Sequence, residues 1–421
     1  MDGGAVGGSV LSRRAALLLA AAGLVQLSPP AVRTVPATVV APSASAGATR
    51  PSARSAVEAL LADRARAQLR LDRSALLAGV TPASRPAEQA ALARLAQLPL
   101  AELSYRITEF AEPVGGTLTL TAELGWRIAD FDDHPAVLTR RIGCELVDGA
   151  WLLSSDRPVG GAALWDLGEI RAVRGTHSIV LGQADPAALA AAAAAADRAV
   201  PLVTELWGGD WPGRLLLEHP ATGEQFAQLL GVSADGYAGI AAVTTAAAGA
   251  PVHSPADRVL INPQAYAGLS ELGRRVVTVH EAAHVATRAD TRPWTPLWLS
   301  EGVADYTGYR GTGRTPRQIA PELAKAAAAK GFTAVLPADG DFAAGSAGIG
   351  LAYELAWSAC DLIARRYGEQ RLVALYRAAG ATPPAGSREE WLDGLLRAGP
   401  GPGLADFTRE WGEDVHQRFA H

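Results

Sequence analysis

The chain has 421 residues, of which 49% are hydrophobic and 19% charged, and its formal net charge is -5. This balance is typical of globular proteins and excludes a largely disordered chain. The mild negative charge, without a dense block of Lys and Arg, argues against a nucleic-acid-binding protein. The length is sufficient for two or three domains with cores of their own.

The first 46 residues are typical of an export signal or N-terminal anchor. Ser12-Arg13-Arg14 precedes an apolar run over residues 15–27, which is too short to span a bilayer comfortably. A small-residue cleavage site follows at residues 44–46. The arginine pair partly resembles a twin-arginine signal, and the general secretory route fits nearly as well. We predict an exported protein, with an uncleaved membrane-associated helix as the alternative for this segment alone.

A linker is expected over residues 47–53, followed by two amphipathic helices over residues 55–71 and 86–98. Three segments then alternate between apolar and polar residues, as half-buried strands do: 103–111, 117–128 and 138–153. Asp148-Gly149 lies between two apolar runs of the last segment and predicts a hairpin turn there.

Helices followed by a long meander that ends in LVDGAWLLSS resemble the cone-shaped NTF2-like domains. The resemblance covers residues 54–160 and depends on pattern, with no chemical motif. It implies helices packed on a curved antiparallel sheet. Such domains can be enzymes or inert spacers. Because no acid–base pair stands out in this segment, we favour a non-catalytic role.

Residues 161–421 are expected to form a second, α+β domain. Asp185-Pro186 is a typical helix start, and the alanine run extends the helix to about residue 206. Short strand patterns follow, and helical patterns continue from there to the C-terminus. The three strand segments are 214–218, 239–245 and 258–261.

The two cysteines, Cys144 and Cys360, lie far apart in the sequence. Export would permit a disulfide, but their spacing does not require one. We interpret both as small buried apolar residues, and a bridge between them is the minor alternative.

The segment VVTVHEAAHVATRAD is the candidate metal-binding motif, because it contains His280-Glu281-Ala282-Ala283-His284. Positions four apart lie on one face of a helix, so both imidazoles can reach one metal ion. Neutral imidazole is a good zinc ligand. Glu281 is placed to take a proton from a water at that metal. Two core histidines on a buried helix are the structural alternative.

A third ligand is predicted in the segment TPLWLSEGVADYTGY. Thr295-Pro296 predicts a second helix start, so that Glu301 falls near the beginning of that helix. Sixteen residues separate His284 from Glu301, which is enough for a loop that returns the second helix to the first. His280, His284 and Glu301 would leave one position open for water, as catalytic zinc sites do.

These motifs resemble the gluzincin metallopeptidases, which include the aminopeptidase N-type, thermolysin-like and peptidase MA-like groups. WLSEGVADY is similar to the segment that delivers their glutamate ligand, although their usual gap is slightly longer. The resemblance covers about residues 214–380. It implies that Asp305 hydrogen-bonds a ligand histidine. A solvent-exposed helix aspartate is the alternative for that residue.

The segment LAYELAWSACDLIARRYGEQRLVALY resembles the part of aminopeptidase N-type enzymes in which a Tyr-Glu pair opens a helix. In that family the tyrosine hydroxyl helps to hold the tetrahedral intermediate. The match implies that Tyr353 stabilises the oxyanion. Tyr367, at the other end of the same helix, is the competing candidate.

Gluzincins also have an edge strand beside the active-site helix, which pairs with the substrate backbone. The run Gly239-Ile240-Ala241-Ala242 is in the right order for that strand, and a core strand of small residues is an equal alternative. The N-terminal β-domain and the acidic amine-anchoring motif of true aminopeptidases are absent from the sequence. Nothing therefore indicates that free N-termini are trimmed.

The sequence thus predicts a zinc metallopeptidase with one Zn²⁺ per chain and a peptide or protein substrate. Two alternatives stay open at this point. One is a catalytically retired binding or scaffolding protein of the cell envelope. The other is a structural zinc site, although such sites usually have four ligands and many cysteines.

Overall fold

The computed structural model describes residues 52–233, 237, 239–245, 254–343 and 345–419. Helices and strands are both abundant, in agreement with the predicted α+β class. The described residues divide into two compact units, 52–166 and 167–419. The predicted export signal over residues 1–46 lies outside the described residues, as does most of the predicted linker.

Three helices open the first unit. Ser52 begins the first of them by accepting a hydrogen bond from the Ser55 amide, so the helix starts inside the predicted linker. Asp72 caps the second, which the sequence analysis did not predict. The helices are α1 (Ala53–Leu69), α2 (Arg73–Ala78) and α3 (Arg85–Leu95), the last preceded by a 3₁₀ turn, Pro82–Ser84.

A four-stranded antiparallel sheet follows, with its strands in chain order. The predicted turn at Asp148-Gly149 is confirmed, since both residues have the positive φ that a tight hairpin needs. Val57 and Leu61 of α1 belong to the same core cluster as the buried positions of the second strand. The strands are β1 (Leu100–Phe110), β2 (Thr117–Ile128), β3 (Ala136–Val147) and β4 (Ala150–Pro158).

A buried ionic network, which the sequence analysis did not predict, lies inside this unit. Arg64 donates two hydrogen bonds to Glu88, of 2.7 and 3.2 Å, and a third to Asp156. Arg140 donates to Asp156 and Asp166, both at 2.7 Å. The side chains of both arginines are only 6% exposed. Burial removes the water that would otherwise solvate these charges. Each charge is therefore stabilised by the hydrogen bonds and the opposite charges of its partners.

We expect Arg64→Met to destabilise this unit by about 3 to 5 kcal/mol. The substitution removes the cation that pairs with Glu88 and Asp156 and leaves both carboxylates buried. Hydrogen exchange of β2 and β3 amides in the full-length protein measures the effect. The matched control is Arg66→Met on the same helix, where the ion pair with Asp63 is exposed and little change is expected. Equal losses in the two variants would contradict this prediction.

The second unit contains a mixed five-stranded sheet in the order β5-β6-β7-β9-β8. Its three middle strands are parallel, and the two edge strands run antiparallel to their neighbours. The first two strands were not predicted from the sequence, and the predicted start of the fourth, at residue 239, was three residues too early. The strands are β5 (Arg171–Arg174), β6 (Ser178–Gly182), β7 (Leu215–His219), β8 (Ala242–Thr244) and β9 (Arg258–Ile261).

Helices α4 (Pro186–Trp207) and α5 (Gly223–Leu230) connect the parallel strands. Asp185 caps α4, as predicted, by accepting from the amides of the second and third helical residues. By length and composition α4 would be able to cross a membrane. However, Leu189 and Val203 on this helix are fully buried within the core of this unit, so its apolar character serves packing.

The rest of this unit is helical. Helix α8 (Leu297–Tyr309) packs against both α7 (Glu271–Thr287) and α11 (Ile349–Tyr367), and two glycines on α8 permit the close approach. A Cβ atom on Gly302 would lie 2.4 Å from the Ala356 carbonyl oxygen, and one on Gly308 would lie 2.9 Å from that of Val276. The helices are α6 (Pro263–Ala267), α7 (Glu271–Thr287), α8 (Leu297–Tyr309), α9 (Pro316–Ile319), α10 (Pro321–Ala327), α11 (Ile349–Tyr367), α12 (Glu369–Ala381), α13 (Arg388–Ala398) and α14 (Leu404–Phe419).

The interpretation of the two cysteines as small buried residues is confirmed. Cys144 belongs to the first unit and Cys360 to the second, and both are free thiols with almost no exposed surface. Burial raises the pKa of Cys144 to about 12, because a thiolate would lose its hydration there.

Candidate metal centre

Helix α7 presents the two histidines of the HEAAH motif. Ser270 caps the helix by accepting from the Gly273 amide, which fixes the helix start nine residues before His280. His280 and His284 are one turn apart, and their Nε2 atoms lie 3.0 Å from each other. Both imidazoles therefore point to the same place, as the four-residue spacing predicted.

Helix α8 brings Glu301 to the same point. Its Oε2 atom lies 3.4 Å from the Nε2 atoms of both His280 and His284. A tetrahedral ion with bonds of about 2.0–2.1 Å would separate its ligand atoms by about 3.3 Å, which agrees with these distances. Glu301 Oε2 is buried, and no described residue satisfies it with a hydrogen bond of good geometry.

These three residues can hold a metal ion. The alternative of two core histidines does not explain why a buried carboxylate oxygen lies 3.4 Å from a ring nitrogen of each.

The start of α8 differs from the prediction. Thr295 does not cap the helix, since its hydroxyl accepts from the Arg292 amide in the preceding loop. The cap comes from much later in the chain, where Asp339 Oδ1 accepts from the Leu297 amide at 3.0 Å. A long-range contact thus fixes the helix start, four residues before Glu301.

The short connection between the two ligand helices is held by α12. Tyr376, fully buried, places its hydroxyl 2.8 Å from that of Thr291 and 3.3 Å from that of Ser300. Trp294 donates from its indole nitrogen to a backbone carbonyl near the end of α12. At Gly380 a Cβ atom would collide with the Asp290 carbonyl oxygen, so only glycine lets α12 approach this loop. The loop is therefore fixed at both ends and along its length.

Asp305 lies one turn after Glu301 on α8 and is buried. Its Oδ1 atom is 2.8 Å from His280 Nδ1. This pairing assigns the ring proton to Nδ1 and leaves the Nε2 lone pair for a metal. The structure therefore places Asp305 beside a ligand histidine and away from solvent.

The charges of the site favour an ionised third ligand. Burial alone would raise the pKa of Glu301, but the nearby His284 and His280 lower this pKa to about 2. The carboxylate is consequently available as an anionic ligand at neutral pH.

Glu281 lies between the two histidines in the sequence and is fully buried. One of its oxygens, Oε2, accepts a hydrogen bond of 2.7 Å from the Thr244 hydroxyl. No described residue hydrogen-bonds to the other oxygen, Oε1. A buried carboxylate oxygen without a partner is costly, and functional sites are where such oxygens are expected.

The two candidate tyrosines of α11 have different surroundings. Tyr353 is buried, packs edge-on against Phe342, and has its ring 6.4 Å from that of His280. Burial raises the pKa of Tyr353 well above its usual value, and the nearby charge of Glu301 raises it further. Its hydroxyl is therefore a neutral donor beside the ligand carboxylate. Tyr367 instead donates to Glu410 at 2.6 Å, on α14.

Of the four residues predicted to bind substrate, 239–242, only the last lies within β8. Gly239 is exposed, Ile240 and Ala241 are buried just before the strand, and Ala242 is its first residue. Among the described strands β8 lies at the edge of the sheet and pairs only with β9. This edge strand packs against α7, the helix that carries both histidines.

No protein-family model matches this chain, and no curated protein matches it. The functional assignment therefore depends on the site geometry and on the sequence motifs.

Sequence reasoning missed three residues that build this site: Thr244, Asp339 and Tyr376. Their side chains make contacts with residues that lie 37 to 85 positions away in the chain. None stands in a local pattern with the residue it contacts, so periodicity and spacing give no signal for them. The Thr244-Thr245 pair at the end of a strand pattern was the nearest indication.

Proposed function

We infer that this protein is a zinc-dependent metallopeptidase that hydrolyses peptide bonds. The observation that carries the proposal is the convergence of His280, His284 and Glu301 on one point, with the buried carboxylate of Glu281 on the same helix. Two imidazoles and one carboxylate are the ligand types of a hydrolytic zinc site with an open position.

The donor set fits zinc. Zinc prefers tetrahedral nitrogen and oxygen ligands. The two distances from Glu301 Oε2 to the imidazole nitrogens, 3.4 Å each, agree with that geometry, and the two nitrogens are closer together, at 3.0 Å. A structural site would normally be closed by a fourth protein ligand, whereas among the described His, Cys, Asp and Glu residues only three converge at this point. When bound, zinc would polarise a scissile carbonyl and lower the pKa of a coordinated water.

The protein's own residues would complete the reaction. Glu281 takes a proton at Oε1 from the attacking water and returns it to the leaving amine. Tyr353 keeps its phenolic proton and donates a hydrogen bond to the oxyanion as negative charge develops there. Asp305 fixes the orientation of His280 throughout.

The same residues support a place among the gluzincins, with WLSEGVADY supplying the ligand and Tyr353 the oxyanion donor. Helices followed by a four-stranded antiparallel meander support an NTF2-like assignment for the first unit. The N-terminal segment supports export to the cell envelope or beyond. The substrate would be a peptide or protein, and a scaffolding protein with a retired site is the competing function.

The test is peptide cleavage by the full-length protein, measured by mass spectrometry on a mixed peptide library. Activity should disappear when 1,10-phenanthroline removes the metal and return when zinc is added, because the water and carbonyl are activated only at the metal. A folded protein that carries zinc and cleaves nothing in the library would favour the scaffolding function. Cleavage that persists without metal would refute the mechanism.

A further inference from the structure

Thr244 is the last residue of the edge strand β8, and its side chain is directed at the active-site helix. Its Oγ1 atom lies 2.7 Å from Glu281 Oε2 and 3.3 Å from the Glu281 backbone oxygen. A hydroxyl has one proton to donate, and the shorter contact, to a carboxylate, is the stronger hydrogen bond. The Glu281 side chain therefore has a fixed partner on one oxygen only.

The two oxygens of Glu281 are consequently not equivalent. Oε2 is held by Thr244, whereas Oε1 is buried with no hydrogen bond from any described residue. Proton transfer requires the accepting oxygen to be placed within hydrogen-bond reach of the reacting group. A carboxylate that rotates freely would present either oxygen, or neither, at that point.

We propose that Thr244 is a positioning residue for Glu281: its hydroxyl holds Oε2 and leaves Oε1 as the oxygen that exchanges protons with water and leaving group. The hydrogen bond is compatible with both stages of the reaction. While the transferred proton resides on Oε1, Oε2 is a carbonyl-type oxygen and still accepts from Thr244. The orientation of Glu281 is thus preserved from the attack to the departure of the amine.

Threonine suits this role better than other hydroxyl residues. Its branched Cβ restricts χ1, and its backbone is fixed by pairing with Val259 in β9. The hydroxyl therefore has a defined position relative to α7. Thr245, the next residue, has a different function, since its Oγ1 accepts from the Arg258 amide and does not contact Glu281.

The inference deepens the proposed peptidase function and depends on it for its kinetic test. Three variants of the full-length protein separate the effect of the Thr244 hydroxyl from that of the side-chain shape. Thr244→Val keeps the shape and removes the hydroxyl, Thr244→Ser keeps the hydroxyl, and Thr245→Val is the matched control at the next residue. The readouts are kcat and KM on a peptide that the parent cleaves, and the zinc dissociation constant from competition with a chromophoric chelator.

We expect Thr244→Val to lower kcat by roughly ten- to a hundredfold, since small misplacements of a catalytic group have effects of that size. KM and the zinc dissociation constant should stay at the parent values, because Thr244 is hydrogen-bonded to none of the three metal ligands. Thr244→Ser should retain most of the activity, and Thr245→Val should equal the parent. A parent-like kcat in Thr244→Val, or an equal loss in the valine and serine variants, would overturn the proposal. A parallel loss of zinc affinity would show a structural role instead.

A crystal structure of zinc-loaded Thr244→Val provides a readout that needs no substrate. Glu281 should move from its single conformation, with Oε2 displaced, while His280, His284 and Glu301 keep their positions. An unmoved Glu281 would overturn the proposal. If the parent binds zinc but cleaves nothing, the peptidase function fails and this structure alone decides the role of Thr244.

Discussion

Replacement of Glu281 by glutamine is expected to leave zinc bound at about one ion per chain and to lower kcat by about a thousandfold. Glutamine has the same shape, so the buried site between α7 and β8 is preserved. It cannot accept a proton from the attacking water at neutral pH. Zinc content by plasma mass spectrometry and kcat on a peptide that the parent cleaves provide the two measurements.

The control for this variant is Glu389→Gln, an exposed glutamate in the first turn of α13. It has the same chemical change and should leave both quantities at the parent values. Full activity in the Glu281 variant would refute the assignment of Glu281 as general base. Loss of zinc together with activity would instead show that the glutamate supports the metal site.

His284→Ala is expected to abolish zinc binding under conditions that saturate the parent. Loss of an outer-shell partner such as Asp305 should lower zinc affinity about ten- to a hundredfold, so loss of a ligand should exceed about a hundredfold. The parent should also melt at a higher temperature when zinc is added, because only the folded state presents the three converging ligands. His284→Ala should lose that zinc-dependent shift.

Zinc titrations followed by thermal unfolding test this expectation, with His416→Ala as the control. His416 is an exposed histidine near the end of α14, far along the chain from the motif. Its replacement should leave the zinc response intact. If His284→Ala binds zinc as tightly as the parent, the site is elsewhere and the triangle of donor atoms is a feature of core packing.

Much of the site could be predicted because its information is local. The HEAAH spacing places two imidazoles on one helix face whatever surrounds the helix. The Asp148-Gly149 turn and the Asp185 cap are likewise properties of a few adjacent residues, and both were predicted correctly. The predicted start of α8 was wrong in detail, because Thr295-Pro296 has a competing local hydrogen bond from Arg292.

Strands β5 and β6, in contrast, could not be predicted from local sequence. Each has four or five residues, too few for a periodic pattern to stand out, and β6 is buried along its whole length. They form strands because neighbouring strands satisfy their backbone groups. The ionic network around Arg64 is a further case, since its members come from five separate segments of the first unit.

The sequence by itself therefore determined the candidate ligand types, the two helices that carry them, and the order of the edge strand and these helices along the chain. Only the tertiary structure decided that Glu301 lies 3.4 Å from both imidazoles, that Tyr353 and not Tyr367 is beside them, and that Thr244 holds Glu281. The physical reason is the range of the contacts. Helical periodicity acts over four residues, whereas these distances depend on how closely α8 approaches α7 and α11 through Gly302 and Gly308.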